Sequence, residues 1–371
     1  MEFGLSGEQT QLTDSVKRFL ADAAPLNRVR QFAQDGDDRD IWAGLTGLGI
    51  PALLVPEAAG GVGLSCLDAA LVSEQLGYRA TPSPFLGSAV ALPVALRHAG
   101  SYADADALLA AVAAGETRVG IALANAVGRR ADATLDAALD AKLEVRLDAR
   151  KGRLTGTVHF AMDSPADQYL VADDAGRLYL VAGNAAGLDV VRFDTIDRTR
   201  QTARITCSNT PAQLLSDDPA ALTRVLDVLR VMLAADTLGA AQQMLDQAVA
   251  YALTREQFNR PIATFQAVKH MCAEMAAALE PCRSMIWYAG HALDHMPEEA
   301  HLVACHAKAH LSEVGKAVAK TATEVHGGMG FTDLVGLHYW FKRVGYNRQM
   351  LGTPEGLRLA AARAQGLAAS A

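Results

Sequence analysis

Apolar residues recur every three to four positions from residue 7 to about 118. The spacing runs through QLTDSVKRFLADA, DIWAGLTGLGI, CLDAALVSEQLGY and ADALLAAVAAG, and it predicts helices. Glycine and proline punctuate this stretch, and PEAAGGVGLS reads as a structured loop. Ser6 with Gln9 has the form of a capping box that opens the first helix. The period then falls to two. RVGIALAN, KLEVRLDARKGRLTGTVHF, QYLVADDAGRLYLVAG, LDVVRF and ARITCS are short alternating stretches between turn residues, as in an antiparallel sheet or barrel.

From about Ala221 the helical spacing returns and lasts to the end of the sequence. TRVLDVLRVMLAADTLGAAQQMLDQAVAYALTREQF is apolar on most faces, so much of it belongs inside a bundle. QAVKHMCAEMAAALEPCRSMIWYAGHAL follows, with a kink or break expected at Pro281. EEAHLVACHAKAHLSEVGKAVAKTATEVH comes next and is closed by the glycines of GGMGF. Near the end, QMLGTPEG offers Thr353 as N-cap, Pro354 at the first helical position and Glu355 in the first turn. The pattern therefore predicts an α+β, mainly α chain in three parts: helices over 1–118, a β domain over 119–220 and a helical bundle over 221–371.

Composition narrows the class. At 371 residues, half hydrophobic and 20% charged, the chain exceeds a single core and is no disordered segment. A formal charge of -7 gives no electrostatic reason to approach nucleic acid or an anionic membrane. Five scattered cysteines, Cys66, Cys207, Cys272, Cys282 and Cys305, form no CxxC and read as thiols of a reducing compartment. The N-terminus lacks a signal-peptide layout and PFLGSAVALPVAL is too short to span a bilayer, so a cytoplasmic location is expected. GLTGLG follows no strand and precedes Pro51, which makes it a turn rather than a dinucleotide loop. His301, His306 and His310 fall at spacings of five and four on one predicted helix, but with no HExxH motif no metal is expected.

The α, β, α order, TREQFNRPIATFQAV after a long apolar helix, and EVHGGMGF before the last helices together resemble the acyl-CoA dehydrogenase family. The resemblance spans essentially the whole chain, with Arg, Phe and Gln of TREQFNRPIATFQ at family spacing and a departure at Asn259, where the family has Gly. It implies an N-terminal helical domain, a middle β domain over a flavin, and a C-terminal four-helix bundle that forms an oligomer core. Family members oxidise an acyl-CoA thioester to its α,β-enoyl form with FAD. A carboxylate takes the α-proton while hydride leaves to the flavin.

The same resemblance locates the parts of the site. Ungapped spacing from GGMGF puts Met350 and Leu351 at the Tyr and Glu of the family's YEGT-like turn, and an aliphatic Leu351 accepts no proton. The alternative base position, just before an arginine in the long helix, is Leu229, followed by Arg230. Arg230 matches an arginine near the acyl-CoA pocket, or is a charge satisfied within the helices, with Asp227 three residues away as a pairing partner. Glu355 and Asp227 are the fallback acids. The flavin-facing segment GTVHFAMDSPAD keeps an aromatic, Phe160, but has Met162 in place of the hydroxyl donor, and LANAVGRRADAT loses the Gly and Ser pattern of another loop at the flavin. By contrast Arg255, Phe258, Gln266, Gly327 and Gly328 keep the positions that, in family oligomers, hold the pyrophosphate and adenosine half of a neighbour's FAD.

This asymmetry predicts a non-catalytic subunit of a heteromeric acyl-CoA dehydrogenase, partnered by a base-carrying paralogue, with electron-transfer flavoprotein as a further partner. Similar base-lacking subunits occur in heterotetramers acting on steroid side-chain thioesters. Two rivals stand beside it: a self-sufficient homotetramer using Glu355 or Asp227, and a DNA-binding relative, which the acidic balance disfavours.

Overall fold

The computed structural model describes residues 4–99, 102, 104–124, 148–150 and 152–368. The N-terminal part holds α1 (Gly7–Ala23), α2 (Leu26–Asp35), α3 (Arg39–Gly47), α4 (Cys66–Tyr78), a π-helical stretch Phe85–Ala91 running into α5 (Leu92–Arg97), and α6 (Ala105–Ala113). The capping box at Ser6 is formed: Gln9 N donates to Ser6 Oγ and Ser6 N donates to Gln9 Oε1. The PEAAGGVGLS loop is pinned by its own backbone, with Val62, Gly63 and Leu64 N–H donating to the carbonyls of Ala52, Val55 and Leu53.

Eight strands make one sheet: β1 (Val119–Ala122), β2 (Asp148–Arg150), β3 (Arg153–Met162), β4 (Gln168–Ala172), β5 (Leu178–Ala182), β6 (Leu188–Phe193), β7 (Thr202–Pro211) and β8 (Gln213–Ser216). The order is β6-β7-β3-β1-β4-β5-β8, with β2 on β3. The sheet is mixed rather than wholly antiparallel, because β1 pairs parallel with β4. All four β1 residues are buried, as befits a central strand covered on both faces.

The remaining helices are α7 (Pro219–Thr254), α8 (Gln266–His295), α9 (Pro297–His326), α10 (Leu337–Gln349) and α11 (Pro354–Ala364). Where α4 crosses α7 the backbones nearly touch. A Cβ on Gly77 would lie 2.0 Å from the Asp236 carbonyl oxygen, and one on Gly239 would lie 1.8 Å from that of Glu74. Only glycine permits that approach. Pro281 does not break α8, which runs through it. Pro281 and Ala277 lie on the exposed face, so the carbonyl that proline leaves without an N–H partner has access to water.

Candidate functional site

The turn expected to carry a base forms between α10 and α11. Thr353 caps α11, accepting from Gly356 N, with Pro354 at the first helical position. Leu351, only 3% exposed, sits at φ +56. A left-handed backbone at a branched aliphatic residue costs about 1–2 kcal/mol and persists only where its surroundings impose it. Here Arg230 Nε donates to the Leu351 carbonyl at 3.0 Å. The special turn geometry is present and the carboxylate is not. Leu229, at the other expected base position, is fully buried.

Arg230 itself is nearly buried, and its Nη1 donates to Asp227 Oδ1 at 2.9 Å. Its role here is internal: it joins α7 to the α10–α11 turn. Asp227 also faces His301, whose Nδ1 lies 3.0 Å from both of its carboxylate oxygens. His301 Nε2 in turn lies 3.8 Å from Cys305 Sγ. The hydrogen bond to Asp227, with a smaller contribution from Cys305, raises the His301 pKa to about 10. Asp227 is thus a doubly partnered carboxylate. Glu355, the other fallback acid, is 66% exposed and paired with Arg348 at 3.1 Å. Its pKa is lowered by the helix-start backbone N–H and that neighbour, which suits a capped surface carboxylate rather than a base facing a thioester.

His301, His306 and His310 do not assemble: the latter two are exposed, and His301 turns to Asp227 and Cys305 instead. Sequence spacing carried half of that signal, since His301 and Cys305 are an i, i+4 pair, but Asp227 comes from another helix. Sequence reasoning also missed Lys308, one turn further along α9. It is buried, and among the described residues its Nζ has only Ser312 Oγ and the Arg348 carbonyl as acceptors, at 3.3 and 3.4 Å. Burial, followed by repulsion from Arg230 and Arg348, lowers its pKa to about 7.

The segment expected to face a flavin divides. Phe160, at φ +58 in an irregularity of the β3–β7 pairing, is half exposed and packs against Phe193 with ring centres 5.6 Å apart. Met162 is buried, and Asp163 turns inward to accept from Gly87 N at 2.8 Å. Burial raises the Asp163 pKa to about 6. Behind it, Asp236 on α7 binds Arg343 at 2.6 Å, Arg200 at 3.0 Å and Asn347 Nδ2 at 2.7 Å, and Arg343 reaches Thr199 Oγ1 at 3.0 Å. This buried network fills the junction of β domain and bundle. A void lined by Asp163, Thr199 and Arg200 measures about 10 Å³, the limit for one water. The LANAVGRRADAT loop lies almost wholly outside the described residues.

At the other end of the same helices the predicted FAD contacts sit on an outer edge. Arg255 caps α7, and β9 (Glu256–Gln257) pairs with β10 (Arg260–Pro261) around Phe258 and Asn259. Both loop residues have positive φ, +53 and +60, as a two-residue hairpin of type I′ demands. Asparagine tolerates that backbone, which accounts for Asn259 in place of glycine. Phe258 is held 87% exposed at the tip. Gln266 begins α8, and Gly327 and Gly328 follow α9. The two segments meet because Tyr251 and His326 stack with ring centres 4.7 Å apart, one turn before Arg255 and immediately before Gly327. All five positions are exposed. Among the described residues the Arg255 and Gln266 side chains make no hydrogen bond or ion pair within the chain. This edge suits the anionic half of a dinucleotide, whereas the interior around Met162 and Asp163 does not suit its ring.

The fold is that of a flavin-dependent dehydrogenase class, and sequence comparison agrees. The acyl-CoA dehydrogenase N-terminal domain matches residues 6–116 and the acyl-CoA dehydrogenase C-terminal domain matches residues 219–366. The chain belongs to the acyl-CoA dehydrogenase family, oxidoreductases acting on CH–CH bonds with FAD. It is 29% identical over 355 residues to the acyl-CoA dehydrogenase IpdE2 of Mycobacterium tuberculosis, covering 94% of each chain. Among solved structures it is similar to a variant of the Tcur3481-Tcur3483 steroid ACAD, with 28% identity, TM-score 0.85 and coverage of 97% and 98%. The ChsE4-ChsE5 complex from Mycobacterium tuberculosis shares the fold at 24% identity, TM-score 0.86 and full coverage of both chains. Among the described residues no helix is long and apolar enough to cross a membrane.

Proposed function

We propose that this chain is the non-catalytic subunit of a heteromeric FAD-dependent acyl-CoA dehydrogenase, lending cofactor contacts to a paralogue that carries the base. The observation that carries the reading is the contrast within the bundle: aliphatic, sealed base positions at Leu351 and Leu229, against five exposed cofactor positions. FAD, when bound in such a complex, accepts the hydride that leaves the β-carbon of the thioester. Arg255 pairs with its pyrophosphate oxygens, and Gln266 donates from the start of α8. Gly327 and Gly328 let the backbone approach the phosphates, and Phe258 covers the adenosine half. The similar structure named as a steroid ACAD supports a bulky, steroid-bearing thioester as the substrate of the complex. Electron-transfer flavoprotein is the acceptor that would reoxidise the shared flavin.

The buried pairings of Asp227 and the exposure of Glu355 argue against a self-sufficient homotetramer. Co-expression with a base-carrying acyl-CoA dehydrogenase paralogue tests the reading. The complex is expected to retain FAD and desaturate acyl-CoA, while the isolated chain does neither; homotetramers with stoichiometric FAD and turnover would overturn it.

A further inference from the structure

The packing of α7 on α9 brings a carboxylate, an imidazole and a thiol together at a place the acyl-CoA chemistry does not use. His301 and Cys305 lie one turn apart on α9, so both project from one face, and Asp227 meets them from α7. One donor atom from each residue falls within 4.8 Å of the other two. A point within about 2.8 Å of all three donors therefore exists. Small adjustments of χ angles bring it to the metal–ligand distances of about 2.0–2.3 Å for oxygen, nitrogen and sulfur.

The contrast with Cys282 is informative. Its Sγ donates to the carbonyl of Ala278 in its own helix, the ordinary fate of a buried thiol. Cys305 is equally buried yet faces His301 Nε2 at 3.8 Å, close to the roughly 3.5 Å that separates sulfur and nitrogen ligands on one tetrahedral ion. Arg230, bound to Asp227, supplies the kind of outer-shell partner that orients a ligating carboxylate. His301, 38% exposed, opens the cluster to solvent, giving an entry path and room for a water as fourth ligand.

We propose that Asp227, His301 and Cys305 form a binding site for a borderline-soft divalent cation of the zinc class. Thiolate and carboxylate together supply two negative charges against the dication, and the thiol proton and one imidazole proton of His301 pass to water on binding. Through Arg230 the site is tied to the Leu351 carbonyl, so an ion there braces the turn that has lost its base.

The full chain, stripped with chelator, is titrated with Co²⁺ as a spectroscopic stand-in for Zn²⁺. A near-ultraviolet thiolate-to-cobalt band saturating at one equivalent and displaced by Zn²⁺ is expected. Cys305→Ser should abolish the band. His301→Gln, at a half-exposed position that tolerates change, should weaken Co²⁺ binding by at least about tenfold. No thiolate band at saturating Co²⁺, an undiminished band in Cys305→Ser, or an unchanged Co²⁺ affinity in His301→Gln overturns the proposal.

Discussion

The edge around Arg255 and the interior around Leu351 are built at opposite ends of the same two helices, α7 and α9, and they satisfy their polar groups in opposite ways. At the edge, among the described residues, the Arg255 and Gln266 side chains are exposed and without partners, and Phe258 stands in solvent at a positive φ. In the interior the carboxylates are matched, Asp227 by Arg230 and His301 and Asp236 by Arg343 and Arg200, and Lys308 is the exception. Exposed side chains held only by water are free to meet a ligand, whereas groups paired inside are already occupied. The difference is the one the proposed non-catalytic role requires: a scaffold without a reaction centre of its own that still presents contacts to a neighbour.

The comparison can be broken most forcefully from the interior. Asp236→Ala strands two buried guanidinium groups and is expected to cost about 3–5 kcal/mol of folding free energy, read as a lower urea midpoint. Lys308→Met should act in the other direction. With its folded pKa near 7 against 10.5 unfolded, Lys308 binds fewer protons in the folded state between those values, so stability rises with pH across that window. Replacing it should stabilise the chain by about 2 kcal/mol at pH 7 or below, with the gain vanishing as pH approaches 10.5. Denaturant curves at pH 7 and 9.5 check both sign and window.

The edge responds differently. Arg255→Gln should leave stability within about 0.5 kcal/mol, as at other exposed positions. Its expected effect is about tenfold weaker FAD retention by the complex, or roughly 1.4 kcal/mol, measured by flavin release on dilution. The smallest effect is Thr353→Ala, which removes the cap after the Leu351 turn and should cost about 1 kcal/mol by thermal unfolding.

Much of this was legible in the sequence because it is local. Ser6 with Gln9, Thr353 with Pro354 and the period-two strands depend on neighbours a few residues apart, and they form as read. The pairing of Asp227 with Arg230, three apart on one helix, was legible for the same reason. What the sequence hid is long-range. The parallel β1–β4 pairing depends on which strand inserts where, and the continuity of α8 through Pro281 depends on that face being exposed. The grouping of His301 with Asp227 and Cys305 rather than with other histidines, and the isolation of Lys308 from any acid, follow from α7–α9 packing.

The most direct test of the central claim is single-turnover desaturation with saturating acyl-CoA and FAD. The isolated chain, the isolated paralogue and their co-purified complex are measured side by side. Rapid flavin bleaching by the complex and none by this chain alone is the predicted result. Flavin reduction by the isolated chain at a rate comparable to that of the complex would contradict it.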